Sequence, residues 1–241
     1  MIHQTELRDL LPGMVAFPDD VFAADQPWLA RHMLPLLKID LGVLRPELAG
    51  TVATMLCPIE PHEGLIGEYT EEHHTAFTTT NWIAFALTDD NRMRFLGNEG
   101  YFQDDASEED GVQAHISEMR ESYSKAKAYF QQHGRLASYS RYGDGEPGEQ
   151  PWLDTLGGQI SNGNWVETVD IAPAFALQFT GAAYDRHAPE EAERVIITRE
   201  GQPFFAVAEV AGYNWCAAGP DAIVMLYEPL SRTVLFSYDW S

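Results

Sequence analysis

One stretch of this chain has a periodicity that only a helix satisfies. Between Glu108 and Gln132, the residues Val112, Ile116, Met119, Tyr123, Ala126 and Phe130 recur three or four positions apart and fall on one face of a 3.6-residue repeat. Both ends are marked. Ser107 followed by Asp110 resembles a capping box with Asp in place of Glu, and Glu108, Glu109 and Asp110 complement the positive end of the helix dipole. At the other end Gly134 suits the left-handed conformation in which helices stop.

Beyond this helix the sequence SRYGDGEPGEQP concentrates Gly, Pro and charge, which favours turning or extended backbone. A linker is expected at 139–151, between a domain at 1–138 and another at 152–241. In the latter, Ala174–Phe179, Arg194–Arg199, Phe204–Val210, Ala222–Tyr227 and Thr233–Tyr238 read as strands. The connections Glu200-Gly201-Gln202-Pro203 and Glu228-Pro229-Leu230-Ser231-Arg232 have hairpin lengths and turn residues, so an antiparallel sheet is expected. Upstream, Met1 to Pro61 is rich in Leu and Pro and reads as short helices separated by turns. Trp28–Ile39 is one candidate helix, which Pro35 should shorten or kink because it lacks an amide donor. Thr78–Leu87 and Arg92–Leu96, around Asp89-Asp90-Asn91, read as a hairpin. The expected class is therefore α+β: a mainly helical and hairpin N-terminal part, the long amphipathic helix, and a C-terminal antiparallel β-sheet domain.

A hydrophobic content of 45% supports a real core, and no stretch approaches the roughly 18 apolar residues of a membrane span. Met1–Leu11 carries Glu6, Arg8 and Asp9, so it has neither the basic start nor the apolar run of a secretory signal. The only cysteines, Cys57 and Cys216, lie far apart without a CxxC or Cys/His spacing, and this is read as suiting a reducing cytoplasm. Acidic residues outnumber basic ones by 37 to 15, a formal charge of -22. Such a field repels phosphate backbones and anionic lipid and draws in basic macromolecules. The expected partner is a basic protein, with no nucleic acid and no membrane; the oligomeric state is left open.

No GxSxG, GxxxxGK[ST], strand-borne GxGxxG or cysteine–histidine motif is present, so no catalytic residue, enzyme class or cofactor is assigned. A hydrolase or transferase would need a site assembled only in the fold. Glu68, Glu71, Glu72, His73 and His74, with His62 and Glu63 upstream, are of metal-ligand type. Adjacent His73 and His74 point in different directions and HExxH or HxH is absent, so no metal is expected. Five carboxylates in the run Asp104–Asp110 must be exposed, since a buried unpaired carboxylate is strongly unfavourable. Three aromatic-glycine segments, around Trp152, Trp165 and Trp215, either plug the ends of the sheet or form a binding surface, for a protein or for a small ligand or carbohydrate.

Those segments carry a resemblance. Trp152 to Gly158, Gly163-Asn164-Trp165, Ala211 to Cys216, Asp221 to Pro229 and the closing Ser237-Tyr238-Asp239-Trp240-Ser241 resemble the C-terminal half of uncharacterised bacterial cytoplasmic proteins. In size, acidity and mixed α+β pattern the whole chain resembles immunity proteins of bacterial polymorphic toxin systems. It resembles in particular those that neutralise nuclease toxins with a restriction-endonuclease-like fold. The resemblance implies a non-enzymatic cytoplasmic inhibitor that binds a cognate basic toxin, a nuclease effector, and blocks its substrate cleft. It carries no inhibitory residue to a position here. From the residues themselves, Asp104, Asp105, Glu108, Glu109 and Asp110 are expected to steer the partner, and Trp165 and Tyr213 to anchor it. Reversing the charges of the acidic run should slow association and flatten its dependence on salt, as stopped-flow measurement would show; an unchanged rate at low salt counts against that assignment.

Overall fold

The computed structural model describes residues 3–103, 111–143, 148–160, 162–167, 170–181 and 194–240. Strands dominate it. In chain order they are β1 (His3–Leu7), β2 (Met14–Ala16), β3 (Met33–Asp40), β4 (Val52–Pro58), β5 (Thr78–Thr79), β6 (Trp82–Leu87) and β7 (Met93–Phe95). The helix α1 (Val112–His133) follows, then β8 (Ala137–Ser138), β9 (Gly148–Glu149), β10 (Leu153–Gly157) and the short α2 (Asn164–Glu167). The rest is β11 (Phe175–Thr180), β12 (Arg194–Arg199), β13 (Gln202–Pro203), β14 (Phe205–Val210), β15 (Ala222–Glu228) and β16 (Thr233–Asp239).

The centre is an eight-stranded sheet in the order β1-β10-β14-β15-β16-β6-β5, with β7 also paired to β6. It takes strands from both sides of residues 139–151, pairing β16 with β6 and β10 with β1. Its middle strands are buried on both faces. In β15, Ile223, Met225 and Tyr227 enter one core while Val224 and Leu226 enter a second; β16 divides Val234, Phe236 and Tyr238 from Leu235, and β6 divides Ile83, Phe85 and Leu87 from Trp82 and Ala84. A strand's two-residue period makes this division automatic, and burial on both faces is why these strands read as nearly unbroken apolar runs. The first core also takes side chains from α1 and from a three-stranded sheet in the order β2-β3-β4. The second is closed by α2 and by the sheet β11-β12-β13.

The expected helical N-terminal part is corrected: its regular elements among the described residues are antiparallel strands and short 3₁₀ turns. Within Trp28–Ile39, only Pro27–Arg31 coils, as a 3₁₀ turn, and Met33–Asp40 is a strand between β2 and β4. The helical expectation weighed Leu propensity, but Leu34, Leu36, Leu37 and Ile39 are buried together, and pairing on both edges outweighs a propensity difference of under ~1 kcal/mol per residue. Pro35 does not kink a helix; it sits where the β3–β4 register shifts, between Pro35 and Leu37, where the ladder tolerates a missing amide donor. Its carbonyl accepts a hydrogen bond from the Tyr123 hydroxyl on α1 at 2.5 Å.

The hairpin forms as β6 and β7, with Phe85 opposite Phe95. In α1, Ile116, Met119 and Ala126 are buried and Val112, Tyr123 and Phe130 pack against the first core, so the helical face is the expected one. Gly134 ends it with φ 69°, its amide donating to the Phe130 carbonyl at 2.7 Å. The helix begins at Val112 with Gly111 as its cap. The expected Ser107–Asp110 box lies outside the described residues.

Aromatic edges fasten α1 to the sheets. Phe17 lies 5.2 Å from Tyr123 and 5.1 Å from Trp215, and Trp152 lies 5.1 Å from Phe130 and 5.5 Å from Trp215. Trp215, fully buried, joins the loop after β14 to this group. Trp215→Ala should destabilise the protein by about 3–5 kcal/mol, read as a lower urea midpoint at an unchanged slope.

Candidate functional site

Antiparallel pairing brings four strand termini to one end of the central sheet: the start of β10, the end of β14, the start of β15 and the end of β16. Each delivers one acid there: Asp154, Glu209, Asp221 just before β15, and Asp239. Glu6 on β1 adds its charge at Asp154. Five adjacent strands thus build a row of carboxylates. No ion pair among the described residues reaches Asp154, Glu209 or Asp221.

The row is electrostatically strained. Burial pushes the Glu209 carboxyl above its ordinary range, and the charges of Asp154 and Asp239 push it further. Asp221 is raised by burial and then by Asp239. Asp154 is raised by burial and by Glu6, although the Ala211 amide and the Asn214 side chain donate to it at 2.8 and 3.4 Å and act the other way. Like charges in a partly desolvated setting disfavour ionisation, and a cation entering the row would reverse this.

Beside the row lies an open groove of about 630 Å³, between α1, the β8–β9 segment and the loop from Gly212 to Gly219. Tyr139, Tyr142 and Tyr213 wall it, with Glu118, Glu121 and Lys125 along α1 and Asn214 on the loop. Tyr213 joins the two features. It stands edge-on to Tyr142 with ring centres 6.5 Å apart, and its hydroxyl is held above the usual tyrosine range by burial and by the charges of Asp221 and Asp154. Tyr142 is 73% exposed. The loop is held from below: Ser138 Oγ donates to the Tyr213 carbonyl at 2.6 Å, and the Ala217 amide donates to Ser122 Oγ at 2.6 Å. Among the described residues, the acids along the groove are ion-paired, Glu118 to Arg141 at 2.7 Å and Glu121 to Lys125 at 2.8 Å. In the row, by contrast, Asp154, Glu209 and Asp221 meet no cation among the described residues, while Glu6 pairs with Arg8 at 3.2 Å.

Of the residues singled out in the sequence, Tyr213 lines the groove. Trp165 is only 5% exposed; it packs edge-on to Trp82 in the second core, and its carbonyl accepts from Ser237 Oγ at 2.8 Å. Its ring presents no exposed anchor. Asp104, Asp105, Glu108, Glu109 and Asp110 lie outside the described residues. Trp152 and Trp215 are core, which removes the stacking platform that a carbohydrate module would need from these rings. His73 stands by Glu72, His74 Nε2 donates to the Gly67 carbonyl at 2.8 Å, and His62 lies edge-on to His115, so these imidazoles do not share a centre. Among the described residues no three His, Cys, Asp or Glu side chains converge on a metal-sized space. Asp154, Glu209, Asp221 and Asp239 carry no local signal, since each is a single acid at the edge of an apolar strand; only strand pairing unites them.

No family model, curated protein or solved structure matches the chain.

Because the folded Glu209 binds its proton more readily than the unfolded chain does, its contribution to stability is present below the ordinary value of 4.5 and is lost as pH rises through the raised value. Glu209→Gln should therefore be more stable than the parent at pH 7, and the difference should close as the pH falls through the raised value of Glu209. Urea unfolding of both proteins along a pH series measures this.

Proposed function

We propose that this chain is a non-catalytic binding protein that receives a cationic protein on the carboxylate row and the adjoining tyrosine-walled groove, as an immunity protein receives a basic nuclease toxin. The observation that carries the reading is the row itself. Carboxylates gathered so that they repel one another destabilise the free protein, and such sites are kept where a ligand relieves them. Lys or Arg side chains, of the kind that line a nuclease cleft to hold phosphates, would satisfy the row, with attraction at a distance raising the rate of encounter. Tyr142 and Tyr213 offer rigid amphipathic rings at the rim, the side-chain type that dominates binding energy where water is excluded. The two acids described along the groove, Glu118 and Glu121, are engaged in ion pairs with Arg141 and Lys125, an arrangement that favours recognition over acid–base chemistry at these groups. The acid-rich 104–110 segment can add to the steering, since its charge acts over about 8–10 Å at ordinary salt.

The direct experiment is to purify the product of the adjacent reading frame, assay it for nucleic-acid cleavage, and titrate this chain into the assay. Stoichiometric inhibition is expected. Tyr213→Ala should raise Kd by about 30-fold, corresponding to roughly 2 kcal/mol at a hot spot, mostly through faster dissociation. Glu209→Gln with Asp221→Asn should slow association at low salt and weaken its salt dependence. Inhibition with unchanged constants in all variants would move the interface elsewhere; an adjacent product that this chain neither binds nor inhibits would remove the reading.

A further inference from the structure

Cys57 and Cys216, the only cysteines of the chain, stand about 160 residues apart in sequence, the largest loop two thiols here can close. Both are free and fully buried. Cys57 is the penultimate residue of β4, and Cys216 lies in the Gly212–Gly219 loop that also carries Tyr213. That loop is drawn tight by the Gly212 amide donating to the Pro220 carbonyl at 2.8 Å and the Cys216 amide donating to the Gly212 carbonyl at 3.1 Å. The Cys57 sulfur lies against this loop, and the electrostatics of the neighbouring groups agree with that placement. Burial first, and then the nearness of Cys57, push the Cys216 thiol up. A Cβ placed on Gly219, three residues after Cys216, would stand 3.3 Å from Cys57 Sγ. Burial raises the Tyr123 hydroxyl, and the nearness of Cys216, Asp19 and Cys57 raises it further. Their separation in sequence had favoured a reducing compartment; in the fold that ground disappears.

We propose that this thiol pair is a disulfide site: in an oxidising thiol pool the chain forms an intramolecular Cys57–Cys216 bond that ties the Tyr213 loop to β4. The oxidant is a low-molecular disulfide such as oxidised glutathione. One protein thiolate attacks a glutathione sulfur, breaking its S–S bond and releasing one reduced glutathione. The second protein thiolate then attacks the mixed disulfide at the protein sulfur and releases the other. Both protein thiols have given up their protons to solvent, and two electrons have passed to glutathione. Burial pushes the Cys216 thiol up, so in the closed fold it is poorly ionised, and exchange proceeds during folding or when the loop opens.

The test uses the full chain, reduced and then held in a glutathione redox buffer in two ways: folded throughout, and during refolding from urea. Remaining thiols are alkylated under denaturing conditions and the intact mass is read. The expected product is monomeric, lighter by two hydrogens and unalkylated, with a Cys57–Cys216 cross-linked peptide on digestion, forming faster on refolding than in the folded chain. Its Tm should exceed that of the reduced chain by about 5 °C or more and return on adding dithiothreitol. Cys57→Ala should show no redox-dependent change in Tm. Two alkylated cysteines, glutathione adducts alone, or intermolecular dimers in both arms would overturn the proposal. So would a cross-linked monomer with a lower Tm than the reduced form, since the bond would then be distorting the native loop.

Discussion

The constraint on which the rest depends is that the middle of the central sheet has no solvent face. In β6, β15 and β16 successive residues leave in opposite directions into two cores, so every position of these strands is decided by packing. A one-residue slip in register would exchange the contents of the cores, placing Phe236 and Tyr238 where Leu235 belongs. That specificity holds the outer layers. The β2-β3-β4 sheet with α1 lies over one face and the β11-β12-β13 sheet with α2 over the other, each meeting a surface already fixed in shape.

A sheet buried on both faces can expose function only at its edges and ends. The carboxylate row occupies one end, where four neighbouring strands start or stop, and polar side chains there escape the alternation that rules the interior. The loop leaving β14 at this end turns back before β15 and carries Trp215 into the first core and Tyr213 to the groove. One short segment thus couples a deep aromatic contact, a buried thiol and the rim of the groove. Rigidity in the core keeps the row in place despite its repulsion, because the strands that carry the acids cannot spread without breaking the ladder.

The elements legible in the sequence were those whose pattern is local. The face of α1 and its stop at Gly134, the β6–β7 hairpin and the β15–β16 hairpin follow from periodicity and turn chemistry. By contrast Glu200–Pro203, expected to join a hairpin, holds strand β13, and the strands on either side of it, β12 and β14, lie in different sheets. Met33–Asp40 misled because a Leu-rich run with both flanks buried has no clean period of either kind, and Pro35 fits a shifted strand register as well as a kinked helix. The separation of chain halves at 139–151 followed a change in composition, whereas β16 pairs with β6 across it, a contact no local pattern encodes.

By itself the sequence determined the overall acidity, the long helix with its inward face, the C-terminal strands and the absence of familiar catalytic motifs, since these depend on composition and on neighbours a few residues away. Tertiary structure alone decided that Trp165 is core while Tyr213 reaches a groove, that Asp154, Glu209, Asp221 and Asp239 share one end of a sheet, and that Cys57 lies against the loop that carries Cys216. The physical reason is that burial and charge coupling depend on distance through space, and long-range strand pairing sets those distances between residues that share no sequence neighbourhood.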